Sequence, residues 1–161
     1  MQTQPQGWQD RGSVFEAMCR FFDEDDWNYQ QIETQNALLM ECSGEHGTWR
    51  CLALARDEMD QFVFYSIREK PVPEAARMQV AELLTRVNYG MAIGNFEIDL
   101  ADGELRFKTS LDVSESEVGI TPEMVGHHVY FNVLVMDRYL PALESVIAGE
   151  ATPEEAALVQ V

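Results

Sequence analysis

Phe96-Glu97-Ile98-Asp99-Leu100, followed by Ala101-Asp102-Gly103-Glu104 and then Leu105-Arg106-Phe107-Lys108-Thr109-Ser110-Leu111, is the stretch that decides the fold. Apolar side chains recur at every second position in both arms. Successive residues of a strand point to opposite faces, so each arm has one dry face and one wet face. Asp102-Gly103 supplies the turn, because glycine enters the left-handed backbone region without steric penalty. The reading is a β-hairpin in which Glu97 and Asp99 meet Arg106 and Lys108 across the strands. A hairpin alone is marginal in water, so it needs neighbouring strands and a cover for its dry face.

Both needs are met by the rest of the chain. Between Trp27 and Ile67, short aromatic and β-branched runs are divided by Ser43-Gly44-Glu45-His46-Gly47 and by Asp57-Glu58-Met59-Asp60. They predict a meander of strands near Ile32 to Cys42, Gly47 to Arg56 and Gln61 to Ile67, the first broken near Thr34 to Asn36. The last places Phe62, Val63, Phe64, Tyr65 and Ile67 on both of its faces. Such a strand wants cover on both sides; a helix can supply one and a second copy of the protein the other.

Helical periodicity marks the cover. Ser13 with Glu16 is a capping-box pattern, followed by Val14, Phe15, Met18, Cys19 and Phe22 on one face. Pro71-Val72-Pro73 opens a second helix with an Ala76, Val80, Leu83, Leu84, Val87 stripe, which Asn88 to Gly90 stop. Thr121-Pro122 begins a long helix carrying Val125, Val129, Val133, Met136, Leu140, Leu143 and Ile147 along one side, with Pro141 expected to kink or divide it. Thr152-Pro153-Glu154-Glu155 caps a short terminal helix expected over Glu154 to Gln160. The order α-β-β-β-α-β-β-α predicts an α+β fold, a twisted antiparallel sheet of about five strands with helices packed on it. Residues 1–12 are expected to be a flexible tail and residues 13–161 a single domain.

Charge narrows the partners. Twenty-eight acids against eleven bases leave a formal charge of −17, and the bases are scattered, so nucleic acid and anionic membrane are excluded as partners. The N-terminus shows no secretory pattern and no apolar run reaches membrane-spanning length, which predicts a cytoplasmic protein. Cys19, Cys42 and Cys51 are an odd number in no repeated spacing and read as reduced thiols.

Catalytic patterns are absent: there is no nucleophile elbow, phosphate loop, dinucleotide turn or Cys-x-x-Cys pair. No catalytic residue, cofactor or metal ligand is assigned. Cys42, His46 and Cys51 flank one turn but give at most three soft ligands, which reads as two half-buried thiols and a surface histidine. His127 and His128 point about 100° apart on a helix, one packed and one wet. The carboxylate pairs Glu97/Asp99 and Asp99/Asp102 belong to the exposed face of the hairpin. Met18, Met78 and Met136 sit at core-like positions.

The string Val72-Pro73, Arg77, Asn88, Gly94-Asn95-Phe96-Glu97 and Asp102-Gly103-Glu104, with Trp49 and Phe64-Tyr65-Ser66 upstream, resembles the YbjN family of bacterial sensory transduction regulators over roughly residues 15–143. The resemblance implies a fold similar to that of type III secretion chaperones, usually assembled as a homodimer, with no enzyme activity. It is associated with regulation of stress responses, motility and surface structures. Asn88, Glu97 and Arg106 are the candidate binding residues.

The expected function is that of a non-enzymatic, protein-binding adaptor or regulator, homodimeric, with a second, unidentified protein as partner. It would bind through the sheet face or an apolar groove beside the long helix. The alternatives are a small-ligand or metal sensor, and an enzyme with a pocket built on the hairpin carboxylates.

Overall fold

The computed structural model describes residues 12–158, so the expected N-terminal tail up to residue 11 and the last residues of the expected terminal helix lie outside the described residues. The chain runs α1 (Val14–Glu24), β1 (Gln30–Ile32), β2 (Ala37–Ser43), β3 (Thr48–Arg56), β4 (Gln61–Ile67), α2 (Arg77–Asn88), β5 (Asn95–Ile98), β6 (Leu105–Asp112), α3 (Pro122–Ile147) and α4 (Pro153–Ala156). This is the α+β fold expected, with six strands where about five were predicted. The extra strand comes from the break in the first: Asn36 takes a left-handed backbone (φ 47°) and the Gln35 amide bonds back to Ile32, turning β1 onto β2.

All strand pairs are antiparallel, in the order β1-β2-β3-β4-β6-β5. β6 therefore inserts between β4 and β5. The chain leaves β4, crosses as α2, lays β5 along the far edge, and turns back through the hairpin.

Alternate strand residues face the helices. Leu38, Met40, Trp49, Cys51, Ala53, Phe62, Phe64, Leu105 and Phe107 are all buried on this inner face. They pack with Met18 and Phe22 of α1, Val80 and Leu83 of α2, and Val125, Val129, Met136 and Leu143 of α3. Met78, read as a core position, is instead two-thirds exposed, because it lies on the opposite side of α2 from the Val80, Leu83, Leu84, Val87 stripe.

The helix ends follow their sequence signals. Ser13 Oγ accepts the Glu16 amide at 3.0 Å while Glu16 accepts the Ser13 amide at 3.1 Å, satisfying two first-turn donors at once. Thr152 and Glu155 repeat the device at α4. α3 runs undivided through Pro141. Proline removes one helical hydrogen bond there, but Tyr139, Leu140, Ala142 and Leu143 around it are all buried and hold the helix to the sheet.

Two polar residues register α3 on the sheet. Asn132 Nδ2, fully buried, donates to the Phe64 carbonyl (3.1 Å), the Phe107 carbonyl (3.2 Å) and Thr109 Oγ1 (3.1 Å). Thr109 Oγ1 in turn donates to the His128 carbonyl at 3.2 Å. The Nδ2 donor reaches all three acceptors only in one position, so this pair registers α3 along β4 and β6, while Asn132 Oδ1 is buried without a hydrogen-bond partner among the described residues.

Candidate functional site

Of the three candidate residues, the structure brings two together. Glu97 on β5 faces Arg106 on β6, and Arg106 Nε donates to Glu97 Oε2 at 2.7 Å while Lys108 Nζ donates to Glu97 Oε1. Arg106 also lies over the Tyr65 ring, 4.4 Å from its centroid, a cation–π contact. Partial burial by itself would raise the Glu97 carboxyl, but the hydrogen bonds from Lys108 and Arg106 outweigh it and hold it below the usual carboxylate range.

Asn88 stands apart from that cluster. As the last residue of α2, it turns its amide onto β5, where Oδ1 accepts the Phe96 amide at 2.8 Å and Nδ2 donates to the Phe96 carbonyl at 2.9 Å. Both outward main-chain groups of Phe96 are thereby satisfied. Arg77 does similar work at the hairpin tip, donating through Nε to the Val72 carbonyl (3.1 Å) and through Nη1 to those of Leu100 and Ala101 (3.1 and 3.0 Å). Gly103 sits beneath it at φ 86°, where an added Cβ would come within 2.3 Å of the Val72 carbonyl oxygen. These motif residues therefore have structural duties.

The hairpin tip forms a hollow of about 570 Å³ lined by Glu97, Asp99, Glu104 and Arg106. Its carboxylates are engaged. Asp99 accepts the Ala101 amide and Asp102 the Glu104 amide, each at 2.8 Å, which builds the turn. Among the described residues, every carboxyl whose pKa departs from its ordinary value moves down. Asp25 does so through the Tyr130 and Trp27 hydrogen bonds, and Asp112, pulled to about 2, through Gln61 and Ser114. Glu123 and Glu155 follow through first-turn amides and cap hydroxyls. A general acid needs the opposite shift.

The turn between β2 and β3 leaves the two thiols as neighbours and sets His46 apart from them. Cys42 pairs with Trp49 and Cys51 with Met40, so the thiols are diagonal neighbours on the inner face. Both are buried. Burial, and then the hydrogen bond with Cys42, push the Cys51 thiol up, away from the thiolate that a metal takes. Ser66 Oγ lies 3.6 Å from Cys51 Sγ and accepts the Trp49 indole N–H at 2.9 Å. His46 is instead held at the tip by α3: Asp137 accepts its amide at 2.8 Å and lies 3.3 Å from Nδ1. His127 is exposed, and the half-buried His128 lies 3.0 Å from the Met124 carbonyl.

Apolar surface collects instead beside α3. The loop from α2 into β5 stands off the long helix and leaves a groove of about 490 Å³ lined by Val87, Tyr89, Met91, Ile93, Phe131 and Tyr139, with Arg86 at its rim. Its volume falls within the roughly 300–1,000 Å³ of ordinary binding pockets. Tyr89 is 92% exposed, Ile93 47%, and Leu134, one helical turn beyond Phe131, 60%. The sequence pointed to a groove beside the long helix without naming its residues. The signal was Tyr89-Gly90-Met91-Ala92-Ile93, an apolar loop that no strand or helix period demands.

No helix among the described residues is long and apolar enough to cross a membrane. No curated protein sequence matches the chain. Among solved structures, it is similar to that of YbjN from E. coli, described as "a putative transcription regulator", with 15% identity over 86% of this chain and 96% of that one and a TM-score of 0.62; at that identity the likeness is one of fold. The family model for YbjN, "Putative bacterial sensory transduction regulator", matches residues 15–145. The turn-holding Arg77, Gly103 and Asn88 fall inside that span, and the chain belongs to the YbjN family.

Proposed function

We propose that the protein is a non-enzymatic regulator in the cytoplasm, acting as a homodimer and binding a further protein through the groove between the α2–β5 loop and α3. The observation that carries this reading is the exposure of Tyr89, Ile93 and Leu134 around a groove lined mainly by apolar and aromatic side chains, with more apolar than polar surface. Large apolar side chains left in water beside a concavity mark contact surfaces. Carboxyls held down by their hydrogen bonds support a binding role over acid–base chemistry. A formal charge of −17 supports regulation through another protein in place of direct contact with nucleic acid.

The test is size-exclusion chromatography with light scattering on the purified protein and on protein recovered from native lysate. The expected results are a dimer alone and a heavier stoichiometric complex from lysate, with the complex lost and the dimer kept in Leu134→Asp. A complex that survives Leu134→Asp and Ile93→Asp together would remove the groove from the reading.

A further inference from the structure

We infer that the homodimer is joined through the outer face of the sheet, a second copy of this chain lying over Leu39, Leu52, Leu54, Val63, Tyr65 and Ile67. The inference rests on the homodimer proposed above and assigns its interface. Register places these residues in one patch: Leu39 pairs with Leu52 and Leu52 with Tyr65, Leu54 pairs with Val63, and Ile67 lies beside Arg50. The α-helices pack on the other face, and none of the six belongs to the core they form. Leu39, Leu52, Leu54 and Tyr65 remain partly open to water.

Charge selects the occupant. Every charged residue of the six strands projects from this face: the acids Glu41, Glu97 and Asp112, and the bases Arg50, Arg56, Arg106 and Lys108. With Asp99 and Glu104, which share the hairpin-tip hollow with Glu97 and Arg106, four of the chain's eleven bases are here against five of its twenty-eight acids. The rest of the chain carries nearly all of the negative excess. Two molecules of charge −17 repel one another through any typical pair of faces; they approach most easily where each is close to neutral.

The charges are also prepared for burial. Glu41 stands opposite Arg50 in register, Glu97 holds Arg106 and Lys108, and Arg56 donates to Gln61 (2.9 Å), which donates to Asp112 (2.8 Å). A charge that keeps its partner enters an interface without the penalty of an isolated ion. Six strands at about 4.8 Å spacing and about seven residues at 3.4 Å give a footprint of roughly 600 Å² per copy. That approaches the roughly 800 Å² per partner of a standard interface.

The experiment is light scattering at tens of micromolar on wild type, Leu52→Glu, Leu134→Glu and the double variant Arg50→Glu/Lys108→Glu, with a thermal melt of each. The expected pattern is a dimer for wild type and for Leu134→Glu, and folded monomers for the other two, with the dimer dissociation constant raised about tenfold or more. The double variant changes exposed or half-exposed residues only, so it decides the matter if Leu52→Glu fails to fold. A dimer that persists in the folded double variant overturns the sheet-to-sheet interface while leaving the homodimer standing. A monomeric wild type overturns both. A wild type that is monomeric alone and dimeric only with an acidic protein would assign the face to that protein instead.

Discussion

The inner and outer faces of the sheet are built from alternate residues of the same six strands, yet they treat polar groups in opposite ways. Inside, no charge is present, and Ser66, Thr109 and Asn132 are each buried with hydrogen bonds aimed at an indole, a helix carbonyl or strand carbonyls. Outside, acids and bases pair across strands while apolar residues fill the gaps between them. The difference teaches what each surface is for. The inner face specifies one position of α3; the outer face stays soluble without becoming hostile to contact.

The comparison breaks most visibly within β4, at two adjacent residues. Phe64→Ala empties a site of zero exposure under α3 and should lower the free energy of unfolding by about 3–5 kcal/mol. Tyr65→Ala, on the outer face, should lower it by about 1 kcal/mol, losing partial burial and the Arg106 contact. Both are measured by denaturant unfolding at a concentration low enough to keep copies apart. Equal effects would mean that the outer face is as deeply packed as the inner one.

A smaller effect sharpens the polar side of the contrast. Asn132→Ala removes a donor shared among three acceptors and should destabilise by about 1–3 kcal/mol. Exchange of the α3 amides near His128 should speed up if Asn132 holds the helix in register. Asn88→Ala, which frees both main-chain groups of Phe96 at the more accessible rim, should take away about 1–2 kcal/mol.

The smallest expected effect belongs to the outer salt bridge. Glu97→Gln should reduce stability at neutral pH by under about 1 kcal/mol, since the carboxylate is partly solvated. Because the folded carboxyl titrates below its unfolded value, its contribution is complete above the unfolded range near pH 4.3 and is lost as pH falls through the folded value. The wild-type and Glu97→Gln curves should therefore converge on acidification; a gap that widens there would refute the direction of the shift.

Much of this architecture was legible because it leaves a local period. Phe96, Phe107 and Leu105 alternate with Glu97, Arg106 and Lys108, and the Val80, Leu83, Leu84, Val87 stripe has the helical spacing. The insertion of β6 between β4 and β5 leaves no such trace, since pairing between strands distant in sequence is set by how α2 crosses the sheet. Met78 and Pro141 show the same limit: one apolar residue points away from its stripe, and one helix breaker is overruled by its buried neighbours. At the candidate site, the contact of Glu97 with Arg106 follows from hairpin register and was readable. The turn of Asn88 onto Phe96 was not, because it joins a helix end to a strand eight residues on; a groove beside the long helix was expected, but not its lining, because an empty space has no residue of its own.

The Asn88 amide has one more effect. By presenting a carbonyl and an N–H group to Phe96 as another strand would, it terminates the sheet at β5 with a side chain. A stranger's extended segment arriving at that rim finds both outward main-chain groups of Phe96 already filled, which disfavours strand addition centred there. Protein carrying Asn88→Ala should accordingly form thioflavin-binding fibrils sooner than wild type under mild heating. In a crowded cell, a single amide can thus act as a guard against templated misassembly.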